Sequence, residues 1–427
     1  MGCSSFSTFF FTENELAEEQ EHIITAETLK RDHPKVREWI DTIHYAIQRC
    51  GITLLDTAPW YGHGTSEIVV GWALEDLLGS SSSSSSDDDE KDSIDVNSIV
   101  YDGSVLKITR DDLCVNTKVG RYEADPKQQF DFSYEATISS TKRSLRRLRC
   151  EYIDVLQLHD AEFAPTLEVL LRETIPAMVE CRSKGWCKSL GLTGYPLEVQ
   201  YQIFQHSFDM YGSGIWDQSL TYGHFNLHDS SLVHRRVDSS CESFADFCHR
   251  KRMGLLAAAP LSMGLLTNNP PPDWHPANGK EVARACQQAA EICRQYDVDI
   301  ATLALLFSFS HPRLPCTILG MKNVEEVEKA AVVARRFAIV DWTKPQLTQE
   351  DVLNLILTKS ESDAYRILSN QDTGPFTNVW KEEEGEEEGE REGQSVPKYQ
   401  WDGIREAHKF WIDNEGIFED WQQKSFR

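Results

Sequence analysis

An α/β architecture closing as a (β/α)8 TIM barrel is what this sequence predicts, on three observations. From Val36 onward, amphipathic helical patterns alternate with short apolar runs of strand length, which implies a parallel sheet with right-handed crossovers. Seven such runs follow one another from the one ending at Asp56, and Met1–Ser5 offers a candidate for an eighth. The alternative, a doubly wound sheet, lacks its phosphate fingerprint, because no G-x-G-x-x-G follows a first strand. Barrels of this kind carry their chemistry on loops at the C-terminal ends of the strands.

Val36–Arg49 is amphipathic, with Ile40, Ile43, Ala46 and Ile47 near one face, and Cys50-Gly51 ends it. The run Ile52–Leu55 leads to Asp56, and a helix opens near Ser66-Glu67 and passes through Trp72 and Leu77. Leu113–Thr117 leads to Lys118 and is followed by a helix at Ser133–Leu148. Ile153–Leu158 leads to His159, with a helix around Thr166–Lys184. The spacing then predicts a strand at Lys188–Leu192, a helix at Leu197–His206, a strand at Trp216–Thr221, a helix at Ser243–Arg252 and a strand at Gly254–Ala259. An excursion containing Pro270-Pro271-Pro272 precedes a helix at Glu281–Tyr296. The last unit is a strand at Cys316–Leu319 and a helix at Val324–Ala334.

Residues 1–345 are therefore expected to form the barrel, interrupted at about 79–98 by a serine and aspartate tract. Residues 346–427 form a C-terminal extension with an acidic linker at about 381–396. The segment after Ala334 runs through Trp342, Trp380, Trp401 and Trp411, which either pack on the barrel wall, the preferred reading, or cover the active-site mouth. The two tracts account for much of the net charge of −25. Such segments bury little apolar surface and stay solvated. The charge excludes a basic nucleic-acid footprint. Eleven cysteines show no C-x-x-C pair, and Cys114, Cys181, Cys248 and Cys293 lie inside apolar patterns, which suits a reducing compartment and a cytoplasmic location. No run approaches the ~20 apolar residues of a membrane span. The start lacks the serine or threonine of a myristoylation motif at Phe6, and no basic flank precedes Phe9-Phe10-Phe11. No metal ligand set is expected, and a monomer or weak dimer is the expected state.

Asp56, Lys118 and His159 each end an apolar run, and Tyr61 follows in the loop after Asp56. As neighbouring strands of one sheet, these runs would bring the four side chains to one rim. A tyrosine has an ordinary pKa of about 10, and a nearby ammonium stabilises the phenolate. Lys118 is the candidate for that cation, with Asp56 to hold it in place. A neutral histidine can donate a hydrogen bond to a substrate oxygen. Taken singly, Asp56 before Thr57-Ala58-Pro59 suits a turn, Tyr61 beside Trp60 suits packing, and His159 suits a satisfied core histidine. Their joint occurrence at three strand ends favours proton transfer at a carbonyl or alcohol during hydride exchange.

Leu55-Asp56-Thr57-Ala58-Pro59-Trp60-Tyr61-Gly62, Gly71-Trp72-Ala73-Leu74, Asn116-Thr117-Lys118 and Asp154–His159 together resemble the aldo-keto reductase family over roughly residues 36–334. The resemblance implies a (β/α)8 barrel binding an extended nicotinamide dinucleotide, with Tyr61 as acid/base and Asp56, Lys118 and His159 in support. His159–Phe163, Gly191–Leu197, Tyr222–Phe225 and Pro260–Thr267 resemble its L-galactose dehydrogenase branch. That implies oxidation of an aldose at its anomeric carbon to the lactone, with NAD as hydride acceptor.

Other positions carry over by the same resemblance. Thr193 matches a residue contacting the carboxamide, although Gly194 stands where many members have Asn. Thr221 falls where a carboxamide-binding glutamine or serine is usual. Pro260, Leu261, Met263 and Gly264 would line the pyrophosphate path, and Gly320, Lys322 and Glu326 match the adenosine end. Glu326 would repel a 2′-phosphate, which leans the expectation to NAD, with NADP possible because Lys322 acts the other way. Lys329-Ala330 replaces the usual Glu-Asn pair of this helix. The family's opening hairpin is absent and Gly2–Phe6 looks like the tail of the first strand, so either the start is truncated or the barrel dispenses with its bottom cap. An unclosed barrel would expose a strand edge. The competing functions are an NADP-dependent aldehyde or ketone reductase and a non-catalytic nucleotide-binding regulatory barrel. The expected partner is a small-molecule sugar or carbonyl substrate, with no nucleic acid and no membrane.

Overall fold

The computed structural model describes residues 1–4, 6, 26, 29–79, 106–123, 128–234, 237, 242–270, 275 and 281–377. The serine and aspartate tract, the acidic linker, Trp380, Trp401 and Trp411 lie outside the described residues. Seven parallel strands follow in chain order, β1 (Leu54–Asp56), β2 (Cys114–Val119), β3 (Ile153–His159), β4 (Cys187–Gly194), β5 (Gln218–Tyr222), β6 (Gly254–Ala258) and β7 (Cys316–Ile318). They stand side by side in a single sheet in that same order. This is the (β/α)8 class expected, with the eighth strand reduced to a few residues. Gly2 bridges Asp56 on one side and Gly320 on the other, both in parallel sense. Asp56 N–H donates to Met1 O at 2.9 Å, and Cys3 N–H donates to Asp56 O at 2.8 Å. The outer edge of β1 is thus paired along Asp56 rather than bare.

Two compact units emerge from the chain. The first holds Met1–His159, Val169–Leu190 and Gly320–Val332. Its leading helix, α1 (Pro34–Cys50), buries Val36, Trp39, Ile40, Ile43 and Ile47, and ends where Gly51 turns left-handed at φ 66°. The second helix, α2 (Thr65–Gly79), buries most of its length, Glu67 included. The third, α3 (Tyr134–Leu148), starts at Ser133, whose hydroxyl accepts from Ala136 N–H. The predicted helix at Thr166–Lys184 is divided. Leu170–Thr174 forms a wider, π-type turn before α4 (Ile175–Ser183). Pro176 explains the break, because it has no N–H to return to the preceding turn.

The second unit comprises Asp160–Glu168, Gly191–Leu319 and the segment from Val333. Its α5 (Leu197–Tyr211), α6 (Phe244–Arg250) and α7 (Glu281–Gln295) fall close to expectation. An unexpected helix follows, α8 (Ile300–Phe309), started by Asp299 accepting from Thr302 N–H. Its sequence is apolar nearly all round, so no 3.6-residue stripe marks it. Beyond α9 (Val324–Arg335), which begins in the first unit, come α10 (Gln349–Ile356) and α11 (Lys359–Leu368). Ala364, Leu368 and Phe376 join Val282, Cys286, Ala289, Ile300 and Leu303 in one buried cluster. Arg336 pairs with Glu361 beside it. The described part of the extension therefore packs on α7 and α8. Trp342 remains half exposed, stacked on Phe337 with centroids 6.2 Å apart.

Candidate active site

Lys118 sits near the end of β2 with its side chain almost wholly enclosed. The ammonium has three N–H groups, and three acceptors meet them: Asp56 Oδ2 at 2.7 Å, Thr57 O at 2.8 Å and Tyr61 Oη at 3.2 Å. Asp56 ends β1, is equally buried, and accepts a second hydrogen bond from Gln157 Nε2 at 2.8 Å. Register explains the meeting, since Asp56 faces Asn116 on β2 and Lys118 faces Gln157 on β3. Burial pulls the Lys118 ammonium down, but the charge of Asp56, the phenol of Tyr61 and the hydrogen bonds to both outweigh it and hold the group above an ordinary lysine. It is a cation across the working range of an enzyme.

Tyr61 opens the short turn Tyr61–Gly64 between β1 and α2, and its N–H donates to Ala58 O. The ring stands edge-on to His159, with centroids 6.1 Å apart and planes at 87°. Lys118 Nζ lies 4.6 Å from the Tyr61 ring centroid. His159, the last residue of β3, is buried. The four sequence-predicted residues are therefore brought together within the first unit. Two supporting groups were not anticipated there: Gln157, which holds Asp56 from β3, and the carbonyl of Thr57. Below them Glu67 is fully buried between Thr117 Oγ1 at 2.7 Å and Arg147 Nη1 at 3.1 Å.

Gly320 precedes α9 and reaches Asp56 through Gly2, which bridges both. Lys322 and Glu326 are not opposed but paired. Lys322 N–H donates to Glu326 Oε2 at 2.9 Å, and its ammonium lies 3.7 Å from Oε1. Asn323 Oδ1 accepts from Glu326 N–H, closing the first turn. Lys329 pairs with Glu325 on the exposed side, while Ala330 is buried.

In the second unit, Thr193 and Thr221 stand near the ends of β4 and β5, where Gly194 faces Thr221. Both are buried. Among the described residues the Thr221 hydroxyl has no hydrogen-bond partner. A buried polar atom left unpaired in a folded chain asks for a ligand or water. Pro260, Leu261, Met263 and Gly264 form the turn after β6. Ala259, Ser262 and Met263 are left-handed there, at φ 62°, 50° and 50°. Two buried histidines fix this strained turn: His228 Nε2 with Ser262 Oγ at 2.7 Å, and His275 Nε2 with Ser262 O at 3.2 Å. Burial pulls His228 down to about 4 and lowers His275 as well, so both are neutral clamps.

A side chain at Gly194 would have to displace its neighbour. A Cβ there would lie 2.5 Å from Glu162 Oε2. Glu162, in the loop after β3, is buried and accepts from Tyr195 N–H at 3.0 Å. Asp160 N–H donates to Thr193 O at 2.9 Å, so that loop is tied to the end of β4 at two points. Gln200 Nε2 donates to Gly194 O, and His224 stacks on Tyr195 with centroids 4.5 Å apart. Gly194→Asn is accordingly expected to displace Glu162 and leave the Tyr195 amide unpaired, at about 1–3 kcal/mol. Urea denaturation and cofactor titration measure this; an unchanged midpoint together with unchanged cofactor affinity would refute the constraint.

The pattern of the Aldo/keto reductase family matches residues 28–343. The chain is 33% identical over 305 residues to L-galactose dehydrogenase of Arabidopsis thaliana, covering 71% of this chain and 81% of that protein. It is 28% identical over 302 residues to D-arabinose 1-dehydrogenase of Saccharomyces cerevisiae, covering 70% and 77%. Among solved structures it is similar to an aldo-keto reductase from Bacillus halodurans in its holo form, with TM-score 0.52, 20% identity, and coverage of 84% and 91%. That last likeness concerns the fold. Among the described residues no helix is long and apolar enough to cross a membrane.

Proposed function

Because the chain belongs to the aldo/keto reductase family, an NAD(P)-dependent oxidoreductase is the starting point, and we propose that it oxidises an aldose at the anomeric carbon to the lactone. The observation that carries this reading is the hub at Lys118 Nζ, bonded at once to Asp56 Oδ2, Thr57 O and Tyr61 Oη. A nicotinamide dinucleotide, when bound, supplies the hydride acceptor. Everything else falls to side chains of this chain. Tyr61 takes the proton of the anomeric hydroxyl, and the ammonium 3.2 Å from its oxygen favours the phenolate that does so. Asp56 keeps that ammonium in place. His159, edge-on to Tyr61, orients the sugar oxygen. As C1 gives up its hydride and O1 its proton, the C1–O1 bond becomes the lactone carbonyl.

Thr193 and the unpaired Thr221 hydroxyl suit the carboxamide, and the Ser262 turn suits the pyrophosphate. Glu326, held at the start of α9, disfavours a 2′-phosphate and suits a ribose hydroxyl, while the Lys322 ammonium paired with it acts the other way, so the reading prefers NAD and keeps NADP as the alternative. The similarity to aldose dehydrogenases of plant and yeast supports the substrate class. The test follows absorbance of the reduced cofactor while L-galactose, L-fucose and D-arabinose are offered with NAD or NADP. Turnover is expected with NAD. Cofactor binding without turnover of any sugar or carbonyl compound would indicate a regulatory barrel, and turnover confined to NADPH-driven reduction of aldehydes a carbonyl reductase.

A further inference from the structure

The turn that carries Tyr61 is left-handed over three consecutive residues. Gly62, His63 and Gly64 stand at φ 59°, 52° and 99°, a run that strains His63 and persists only where its surroundings hold it. The first turn of α2 does the holding. Thr65 N–H donates to the carbonyls of Tyr61 and Gly62. Ser66 Oγ donates to Cys3 O at 2.8 Å and lies 2.8 Å from the hydroxyl of Thr57, the residue whose carbonyl accepts from Lys118. Glu67, wholly enclosed, accepts from Thr117 Oγ1 on β2, next to Lys118, and from Arg147 Nη1 on α3. Arg147 reaches this point because α2 and α3 approach backbone to backbone. A Cβ on Gly71, one helical turn beyond Glu67, would collide with the Arg147 carbonyl. A Cβ on Gly64 would meet Cζ, Nη1 and Nη2 of Arg147 together, so the planar guanidinium covers that glycine.

We propose that Arg147 is a positioning residue: paired with Glu67 and covering Gly64, it fixes the left-handed turn and so holds the Tyr61 phenol against the Lys118 ammonium. The proposal deepens the oxidoreductase reading above and rests on it for the role of Tyr61. Tyr61 follows β1 and Lys118 lies on β2, so their spacing depends on what ties those two segments together. Thr65 is bonded to the Tyr61 carbonyl, and Thr117 shares a peptide bond with Lys118. Glu67 and Arg147 join both at one buried point. The phenol stands 3.2 Å from the ammonium, and the preference for phenolate weakens as that distance grows. A lysine at position 147 would answer the charge of Glu67. Its compact ammonium would not also cover Gly64, as the planar guanidinium does.

The test titrates the Tyr61 phenol in the full chain by the ultraviolet absorbance of its phenolate, each protein read against the same protein carrying Tyr61→Phe. In Arg147→Gln and in Gly64→Ala the midpoint is expected to rise by about one pH unit or more, as contact with the ammonium slackens. Gly64→Ala leaves both charges of the buried pair in place, so it decides the matter if Arg147→Gln, which strands the Glu67 carboxylate, fails to fold. Arg147→Lys is expected to regain most of the urea midpoint lost in Arg147→Gln while its phenolate midpoint stays raised. Recovery of both would mark a pair that serves the fold alone and overturn the proposal, as would an unmoved phenolate midpoint in Gly64→Ala. Arg336→Gln, which breaks the pair with Glu361 outside the site, is expected to leave that midpoint in place; a rise there also overturns it. No substrate enters the titration, so if no aldose is oxidised the aldose reading fails and the positioning role stands. A wild-type midpoint no lower than the ordinary tyrosine value of about 10 overturns both that role and the part given to Tyr61.

Discussion

Tyr61→Phe is expected to lower kcat/KM by roughly 10²–10⁴-fold, the scale of a positioned acid or base, with little change in cofactor affinity. The phenyl ring keeps its edge-on contact with His159 and its place beneath the Lys118 ammonium; only the oxygen bonded to Lys118 is removed. Cofactor affinity is read by quenching of tryptophan fluorescence, and turnover by the absorbance of the reduced cofactor. The ammonium keeps Asp56 Oδ2 and Thr57 O as acceptors, so the fold loses one of three hydrogen bonds at that nitrogen. A loss of turnover with stability within about 1 kcal/mol of the wild type separates chemistry from folding. Comparable rates in the two proteins would remove Tyr61 from its role.

Asp56, Lys118 and His159 were legible because each closes an apolar run, a position that strand periodicity marks. The strand and helix series was legible for the same reason, with shifts such as Gln218–Tyr222 for the expected Trp216–Thr221. Three of the longer helices were not. α8 is apolar on every side, and α10 and α11 are short. The last two nevertheless open on capping boxes, Thr348 with Asp351 and Thr358 with Glu361, a signal that spacing alone reveals. Contacts across long sequence separations leave no local mark. Gln157 reaches Asp56 from 101 residues away, and Glu162 fills the space beside Gly194 from another loop. What periodicity encodes is which way a residue faces, and not what it meets there.

Lys118→Met is expected to impair both stability and chemistry, and the two effects can be taken apart. Removing the ammonium leaves Asp56 enclosed with Gln157 Nε2 as its remaining side-chain donor. Breaking a buried ion pair from one side costs about 3–5 kcal/mol, read as a lower urea midpoint. Turnover falls because nothing then stabilises the Tyr61 phenolate. Any residual oxidation should rise to its plateau at higher pH than in the wild type, since a phenol without a neighbouring cation holds its proton longer. Adding Asp56→Asn supplies the discriminating measurement. With both charges gone, no uncompensated carboxylate is buried, and most of the lost stability should return, as it does when buried pairs are replaced together. Activity should stay low, because the pair is needed at Tyr61 and not by the core. A double variant as unstable as the single one, or one whose turnover recovers with its stability, would show that Lys118 serves the fold and not the proton.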